Sequence, residues 1–312
     1  MLSFFAICDG RRVGLDGVLT AVIDSDLSVP ADSLSLTVPY DKELAEGAEA
    51  VEAVLDGAVV FRGRLDSIVT VKERCGVLLR LSARSPAAAL VDNEAEPVTY
   101  HHPNARLVAN RHLLPFGITP ADADSIQYQG DIKIDKGMSH WQVLKSFCRN
   151  RYASLPRITG GGEAYLKGLP RGKAVVFSDL GEGVAYHSLY ENQKRWKLLS
   201  EVRLKLSGSG AYLSRIQNPN PQSRSAGRVR YVNAAADKTT VLTAEKMLQN
   251  SNTDSYSLQL KCAGCRLLLL GSEAVVRDSV LGELDGLTVQ KVRYTADDRG
   301  DLSKVTLVKE KF

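Results

Sequence analysis

Two alternating segments joined by tight turns constrain the fold of this chain more than any other feature. Apolar and polar residues alternate from Ala58 to Lys72, and the pattern returns from Val77 to Ala83. Asp56-Gly57 precedes the first segment, and Gly76 precedes the second. Alternation with a period of two, preceded by a turn that favours positive φ, predicts an antiparallel hairpin. A strand as long as the first must twist and curl, which favours a small barrel.

The residues around this hairpin extend the same architecture. Ser85-Pro86 has the character of a helix N-cap followed by a first-turn proline, so a short helix is expected to end near Leu90 and plug the barrel. Four shorter apolar segments separated by turn residues predict further strands. They are Leu2–Ile7, Val18–Ile23, Leu34–Val38 and Val51–Leu55. We therefore predict a first β-barrel domain over residues 1–95.

Length and charge narrow the class of protein. The chain has 312 residues, which predicts two or three domains, and its formal net charge is only +4, which implies no overall binding of polyanions. Five cysteines, an odd number, argue against a secreted disulfide framework and favour a reducing compartment. The apolar run from Met1 to Cys8 is too short for a secretory signal, and no run is long enough to span a membrane. These features predict a protein made in the cytoplasm.

Residues 96–190 have a different pattern, which predicts a mixed α/β connecting domain. A short helix is expected from Ala105 to His112, and Ser139 is expected to cap a second helix. On that second helix the apolar residues fall on one half, with Arg151 as the only interruption. We attribute Arg151 to the favourable placement of a cation near the helix C-terminus.

Alternation returns from residue 191 to the end of the chain. Strands are predicted at Val202–Leu206, Tyr212–Ile216, Arg228–Val232, Tyr256–Cys262, Arg266–Leu270, Ala274–Leu281, Leu287–Tyr294 and Lys304–Val308, with a short helix from Thr243 to Met247. Residues 191–312 are therefore predicted to form a second β-barrel domain with connecting strands. The fold class is then mainly β with α+β insertions: two small antiparallel, tube-like β-barrels joined by a mixed α/β domain.

The two predicted barrels share a similar spacing of glycines. Gly63 lies in a strand and Gly76 in the following turn, while Gly286 opens a strand and Gly300 lies in its turn. The two spacings differ by one residue. Either the chain contains an internal duplication or two hairpins have used the same turn chemistry independently.

Few residues have the character of a catalytic or metal site. Cys262 and Cys265 form one CxxC pair, whereas a structural zinc needs four ligands. His101, His102 and His112 are the other candidate ligands, but adjacent histidines in a strand point to opposite faces. Motifs for serine hydrolases, phosphate-binding loops and zinc proteases are absent. We predict no catalytic, metal or cofactor-binding residues and no cofactor, although a pair of glycosidase carboxylates stays open because their separation is not visible in a sequence.

One interval has an unusual charge. No acidic residue lies between Glu201 and Asp237, while the interval contains six cations: Arg203, Lys205, Arg215, Arg224, Arg228 and Arg230. One interpretation is contact with a polyanion or an acidic partner. The other, which the small number of aromatic residues favours, is a solvated loop between edge strands whose charges prevent aggregation.

Several blocks, in order along the chain, resemble a known family. They are Phe61–Ile68 with its hairpin and Ser82–Asp92, Tyr100–Pro103 with Pro115–Gly117, Lys136–Trp141, Lys194-Arg195 before Ser200–Val202, and Gly286–Val289. This ordered set resembles the baseplate hub proteins of phage tails, namely the Mu-like tail hubs and late-control D proteins. The likeness covers most of the chain, and residues 234–255 match it least.

The resemblance implies a structural, non-enzymatic role in the tail baseplate of a virion, made in the cytoplasm of a bacterial host. It implies a homotrimer in which six tube-like units join a sixfold tail tube protein to a threefold central spike protein. The tape-measure protein is a further candidate partner, and DNA would only pass through the channel. For the stretch from Arg203 to Arg230 the resemblance leaves two placements open, the channel or an interface. The alternatives are a hub of a type VI or extracellular contractile injection system, and a tail-associated peptidoglycan hydrolase.

Overall fold

The computed structural model describes residues 2–74, 76–170, 172–205, 210–233 and 238–309. Contacts group the chain into two compact units. Unit 1 comprises residues 1–171, 263–271 and 291–303, and unit 2 comprises residues 172–262, 272–290 and 304–312. The chain is mainly β, with one large, mostly antiparallel sheet and three small sheets. The division into residues 1–95, 96–190 and 191–312 stays a prediction.

The strands in chain order are β1 Leu2–Cys8, β2 Arg11–Gly14, β3 Thr20–Asp26, β4 Ser33–Pro39, β5 Ala48–Leu55, β6 Ala58–Glu73, β7 Gly76–Arg84, β8 Thr99–Tyr100, β9 Thr119–Pro120, β10 Ile132–Lys133, β11 Arg157–Ile158, β12 Glu163–Tyr165, β13 Val175–Ser178, β14 Ser188–Gln193, β15 Glu201–Lys205, β16 Ser214–Gln217, β17 Val229–Asn233, β18 Tyr256–Ala263, β19 Glu273–Asp278, β20 Gly282–Asp297 and β21 Gly300–Lys309. The α-helices are α1 Lys42–Gly47, α2 Ala87–Asp92, α3 Ala105–His112, α4 His140–Tyr152 and α5 Lys238–Ser255. None of the described helices has a stretch of 18 residues apolar enough to cross a bilayer.

The predicted hairpin is the longest ladder of unit 1. Asp56 and Gly57 both have positive φ, at 49° and 86°, as the turn between β5 and β6 requires. Strand β6 then pairs with β7 from Arg64 to Glu73. Leu79 and Leu81 of β7 are buried, which is the one-faced burial that the alternation predicts. On the distal half of β6 the prediction is wrong, because Val69 is 49% exposed beyond the irregularity between Leu65 and Ser67.

Strand β6 changes partner at Arg64. Its first half pairs with β5 as far as Arg64, which lies opposite Ala50, and its second half pairs with β7. The ladder with β7 is irregular between Leu65 and Ser67, where a bulge lets the strand bend. Beyond Arg64, the edge of β6 that faces away from β7 has no partner strand among the described residues.

The prediction of two closed barrels is wrong for the described part of the chain. In unit 1 the strands pair in the order β2-β1-β5-β6-β7-β4-β3-β20. Closure would require the terminal strands of such a path to pair with each other. Instead β3 pairs with β20, and no described strand covers the outer edge of β2. Alternation reports which face of a strand is buried, and it carries no information about which edges join.

The helical part of unit 1 has its own core, and the sequence predicted its two main helices. Ser139 accepts a hydrogen bond from the backbone of Gln142, and the Gln142 side chain accepts one from the backbone of Ser139, which completes a capping box. Val143, Leu144 and Phe147 are fully buried against residues of α2 and α3.

In unit 1 the predicted Ser85 cap is wrong, and Arg151, which does lie in the last turn of α4, has a partner that was not predicted. Arg151 is largely buried and forms an ion pair with Asp124 at 2.9 Å, so a specific carboxylate holds it, beyond any effect of the helix dipole. Ser85 does not cap α2; its hydroxyl accepts a hydrogen bond from the backbone N–H of Asp32 on another segment. Both side chains found partners distant in sequence, which no local pattern reveals.

Unit 2 contains a parallel pair, β13 with β19, and two antiparallel pairs, β19 with β20 and β14 with β18. A separate sheet has the order β16-β15-β17. Against it packs α5, which runs far beyond the short helix predicted from Thr243 to Met247. The strand predicted at Arg266–Leu270, in unit 1, is a 3-10 turn at Leu267–Leu269 instead, because four successive leucines carry no period.

The two hairpins suggested by the glycine spacing have nearly equal dimensions. Strands β6 and β20 both contain 16 residues, and the strands that follow, β7 and β21, contain 9 and 10. Gly76 and Gly300 open the second strands with φ of 140° and 113°. The hydrogen-bonded order β3-β4-β7-β6 is matched by the order β14-β18-β21-β20. We call these the first and second four-strand sets.

Candidate functional site

The outer face of the β16-β15-β17 sheet gathers part of the basic interval. Arg203 of β15 lies opposite Arg215 on β16 and opposite Tyr231 on β17. Residues directly opposite in a sheet share a face, so these three side chains form one row. Lys205 lies two residues along β15 on the same face. We call Arg203, Lys205, Arg215, Tyr212 and Tyr231 the basic face.

Two aromatic rings lie beside the cations of the basic face. The rings of Tyr212 and Tyr231 meet edge to face, with centroids 5.0 Å apart and an interplanar angle of 76°. The guanidinium carbon of Arg203 lies 5.9 Å from the centre of the Tyr231 ring. Tyr212 donates a hydrogen bond of 2.5 Å to the side chain of Asn233, which fixes its ring. Tyr231 is 57% exposed, so the aromatic pair is open to solvent.

One carboxylate belongs to this face. Glu201 lies 2.5 Å from Arg203 Nε, and this hydrogen bond raises the pKa of Arg203. Arg215 and Lys205 have no ion pair among the described residues. Arg203 and Arg215 therefore face each other across β15 and β16, and Glu201 contacts Arg203, although like charges directly opposite destabilise a sheet.

The inner face of the same sheet explains why the basic face points outward. Val202 and Leu204 alternate with Arg203 and are buried against Ala244 and Leu248 of α5. Burial of these apolar side chains fixes the sheet on the helix, so the intervening residues must face away. Three buried asparagine side chains, Asn218, Asn220 and Asn252, join the loop after β16 to α5.

The structure brings together only part of the basic interval. Arg230 lies opposite Val202, on the inner side of the sheet register, one residue before Tyr231. Arg224 lies in a 3-10 turn, and Arg228 donates to the backbone oxygen of Trp196 at the start of β17. Three of the six cations of the interval therefore lie on the basic face, and Arg224, Arg228 and Arg230 lie outside it.

Two of the three histidines considered as metal ligands, His101 and His112, have other partners. His101 lies 3.1 Å from Asp131, and His102 is exposed with φ of 45°. His112 is 2% exposed; its Nδ1 lies 2.9 Å from Nδ1 of His140, and its Nε2 lies 3.2 Å from the Tyr100 hydroxyl. No group of three or more possible metal-ligating side chains occurs in the part of the chain that the structure describes.

The pKa values of both His112 and His140 are lowered. Burial, followed by the nearby His140 and Arg111, lowers the pKa of His112 to about 4. Burial also lowers the pKa of His140. A neutral pair fits the geometry, because one Nδ1 must donate to the other. The sequence missed this pair, since His140 is 28 residues from His112.

The CxxC cysteines are placed on different local structures. Cys262 is buried in β18 at an alternating apolar position, and Cys265 follows the strand and is half-buried. Burial raises the pKa of the Cys265 thiol, which opposes formation of the reactive thiolate.

A buried ion pair in unit 1 was not visible in the sequence. Arg157 donates to Asp32, to Ser25 Oγ and to the backbone oxygens of Asp26 and Val29. Arg157 and Asp32 are 4% and 3% exposed. Burial raises the pKa of the Asp32 carboxyl, and Arg157 opposes this effect. The pair ties β11 to the loop between β3 and β4, and we assign it a structural role.

Comparison with known structures gives the chain a family likeness. It superposes on a 43 kDa tail protein of the prophage MuSo2 from Shewanella oneidensis with a TM-score of 0.77, at 18% identity, over 99% of this chain and 98% of the other. A tail protein from Neisseria meningitidis matches with a TM-score of 0.76, at 19% identity, over 99% and 96%. The fold is that of a Mu-like phage tail protein.

This tail-protein fold extends to a secretion apparatus. An Escherichia coli component of the type VI secretion system, described as structurally similar to the T4 tail proteins gp27 and gp5, matches with a TM-score of 0.53, at 11% identity, over 95% of this chain and 74% of the other. No protein-family model matches the chain, and no curated protein matches it. The resemblance noted in the sequence to phage tail proteins is thus confirmed by full-length structural matches.

Proposed function

We propose that this protein is a structural, non-enzymatic baseplate hub of a phage or phage-like tail, and that it acts as a trimeric adaptor between a sixfold tail tube and a threefold central spike. The observation that carries the proposal is the full-length likeness to tail proteins from two bacteria. Tail tube and spike proteins are its proposed partners, the tape-measure protein is a further one, and DNA would pass through the channel. The three-domain division of residues 1–95, 96–190 and 191–312 belongs to the same proposal.

The repeated four-strand sets support a ring. Within the chain, β20 of the second set pairs with β3, the first strand of the first set, from Lys291 to Ala296. The first set ends at β6, whose edge beyond Arg64 has no described partner, and the second set begins at β14, for which β18 is the one partner among the described strands. If the same junction repeats between copies, β6 of one copy pairs with β14 of the next.

Such a junction is a head-to-tail contact, and head-to-tail contacts form a ring when the rotation closes. Three copies with two sets each supply six similar units around one axis. This arrangement has threefold symmetry and is nearly sixfold in shape, which suits an adaptor between the two symmetries. It also covers two strand edges that would otherwise invite aggregation.

Light scattering coupled to size exclusion tests the proposal directly. We expect a mass of about 102 kDa, three times the 34.0 kDa of the chain, and ring-shaped particles with threefold symmetry in electron micrographs. A stable monomer at micromolar concentration without rings would contradict the trimeric hub.

A second candidate is the equivalent hub of a type VI or extracellular contractile injection system, and the likeness to the Escherichia coli component favours it. Genes for capsid and terminase beside this gene indicate a phage, and their absence indicates an injection device. The third alternative, a peptidoglycan hydrolase, predicts clearing on a peptidoglycan zymogram. We expect no clearing from the purified chain.

A further inference from the structure

We propose that the basic face of the β16-β15-β17 sheet binds nucleic acid, with its cations on phosphates and Tyr231 against a base or sugar. The inference depends only on unit 2 and does not require the trimer. The chain as a whole has a net charge of +4, so the binding would be local to this face.

The first argument is charge complementarity. Arg203 and Arg215 form a like-charged pair directly across two strands, and Lys205 extends the same face. Such a pair costs stability in the free protein, and an anion placed between the two side chains would relieve the repulsion. Phosphate is a suitable anion because the guanidinium group can donate two parallel hydrogen bonds to its oxygens.

The second argument distinguishes nucleic acid from an acidic protein. A purely electrostatic site for carboxylates needs no aromatic surface, whereas sites for single strands combine cations with rings on which bases stack. Tyr231 lies beside Arg203 at the β17 end of the row, more than half exposed, and its ring is supported by the edge-to-face contact with Tyr212. The hydrogen bond of Tyr212 to Asn233 holds this support in place.

The third argument is the packing behind the basic face. The basic face belongs to a three-stranded sheet whose other side is fixed by Leu204 and its neighbours on α5. The packing on α5 therefore holds the backbone of this face in place, so little backbone order has to be gained on binding. The nearest carboxylate, Glu201, is engaged with Arg203 and leaves Arg215 and Lys205 available to phosphates.

Fluorescence anisotropy of the full chain with labelled oligonucleotides tests the proposal. The probes are an oligothymidine of about 20 nucleotides and a duplex of the same length, each titrated between about 50 and 200 mM salt. We expect saturable binding of both that weakens with salt. Absence of saturable binding at the lower salt concentration overturns the proposal.

The chain offers a matched pair of substitutions. Arg215→Ala removes a cation from the basic face, and Arg230→Ala removes one from the opposite side of the same sheet. We expect Arg215→Ala to weaken binding of both probes about five- to tenfold and to reduce the salt slope by about 1, while Arg230→Ala changes affinity less than about twofold. Equal effects of the two variants would mean that only net charge matters, and the site would be rejected.

The role of the aromatic side chain of Tyr231 is tested separately. Tyr231→Leu removes the stacking surface, and Tyr231→Phe keeps it. We expect Tyr231→Leu to weaken the single-stranded probe about tenfold and the duplex little, and Tyr231→Phe to bind like the unmodified protein. Circular dichroism establishes that each variant is folded, and Arg215→Gln serves as a second variant with an uncharged side chain of similar reach.

Competition identifies the class of partner. Polyglutamate should displace the labelled oligothymidine at least tenfold less well than unlabelled oligothymidine at equal charge concentration, because it cannot stack on Tyr231. Equal competition, together with no effect of Tyr231→Leu, would assign the face to an acidic protein and overturn the proposal.

Discussion

At the scale of the residue, the strongest constraints come from polar groups buried in unit 1. His112 and His140 face each other through ring nitrogens, and Tyr100 closes the other side of His112. Arg157 is held by a carboxylate, a hydroxyl and two backbone oxygens. In the unfolded chain water can satisfy these groups, whereas in the folded chain they depend on each other, so loss of one partner has a measurable effect on stability.

His112 predicts a dependence of stability on pH. Its pKa falls from 6.5 when unfolded to about 4 when folded, so between these values the unfolded chain binds more protons. Stability therefore decreases as the pH falls, by about 2 kcal/mol between pH 7 and pH 5 from this group. Urea unfolding at the two pH values measures it. His112→Gln, which can still donate and accept, should show a decrease smaller by about that amount. An unchanged difference between the two pH values in His112→Gln would contradict the assignment.

The buried pair predicts a contrast between two aspartates. Asp32→Ala leaves the Arg157 charge buried without its carboxylate and should lower the free energy of unfolding by about 3–5 kcal/mol. Asp66→Ala removes a partner of Arg84 in an exposed ion pair and should cost about 1 kcal/mol or less. Denaturant titration of both variants at pH 7 makes the comparison, and equal costs would refute the structural role of Arg157.

At the scale of the element, the β6–β7 hairpin contains a position, Gly63, at which the backbone of one strand comes so close to another that only glycine fits. A Cβ added at Gly63 would lie 2.5 Å from the backbone oxygen of Arg84 and 2.8 Å from the ring of Phe61. This is the point at which β6 leaves β5 for β7, so three strands crowd together there. Glycine gives the backbone room to make that bend.

Gly63→Ala should therefore destabilise the protein by about 1–3 kcal/mol, because the backbone oxygen of Arg84 cannot move away without breaking its ladder. Gly14→Ala is a suitable control: it lies in strand β2 of the same sheet, and an added Cβ would meet no atom within 4 Å. We expect the control to change stability by less than about 0.5 kcal/mol in thermal or urea unfolding. A Gly63→Ala variant as stable as the control would show that the strands can separate at this point.

At the scale of the whole molecule, the repeated four-strand sets matter more than any side chain. The eight strands of the two sets run from β14 to β6, and among the described residues the outer edge of β14 and the distal half of β6 have no partner strand. Such a series can extend from copy to copy, and this property underlies the proposed ring. The distal half of β6 is the part of the proposed junction that substitutions can test. Its outward edge has no partner among the described strands, and both Val69 and Thr70 are exposed.

Proline substitution tests the proposed junction. Successive residues in a strand direct their N–H groups to opposite edges, so in Val69→Pro and Thr70→Pro one variant loses an N–H toward β7 and the other loses one toward the open edge. We expect one variant to lose stability and the other to remain folded but become monomeric by light scattering. Two folded variants that both keep a mass of about 102 kDa would exclude this edge from the trimer contact.

Much of the secondary structure follows from local patterns. Alternation placed β6 and β7 within one or two residues, Asp56-Gly57 identified the turn, and Ser139 identified the start of α4. Where patterns were weak, the predictions were wrong: α5 is 18 residues long, although Thr243 suggested a short helix. Helices gain most of their stability from packing, and a buried sheet opposite α5 can extend it beyond its local signals.

The sequence by itself determined which segments become strands and which of their faces are apolar, because period and turn chemistry are properties of neighbouring residues. Only the tertiary structure decided that β3 pairs with β20 and not with a strand that would close a barrel, that Asp32 meets Arg157, and that Arg203 and Arg215 share a face with Tyr231. These contacts join residues far apart in the chain. Which of these contacts form depends on the burial of whole faces and on which strand edges remain unpaired, and a local sequence pattern specifies neither.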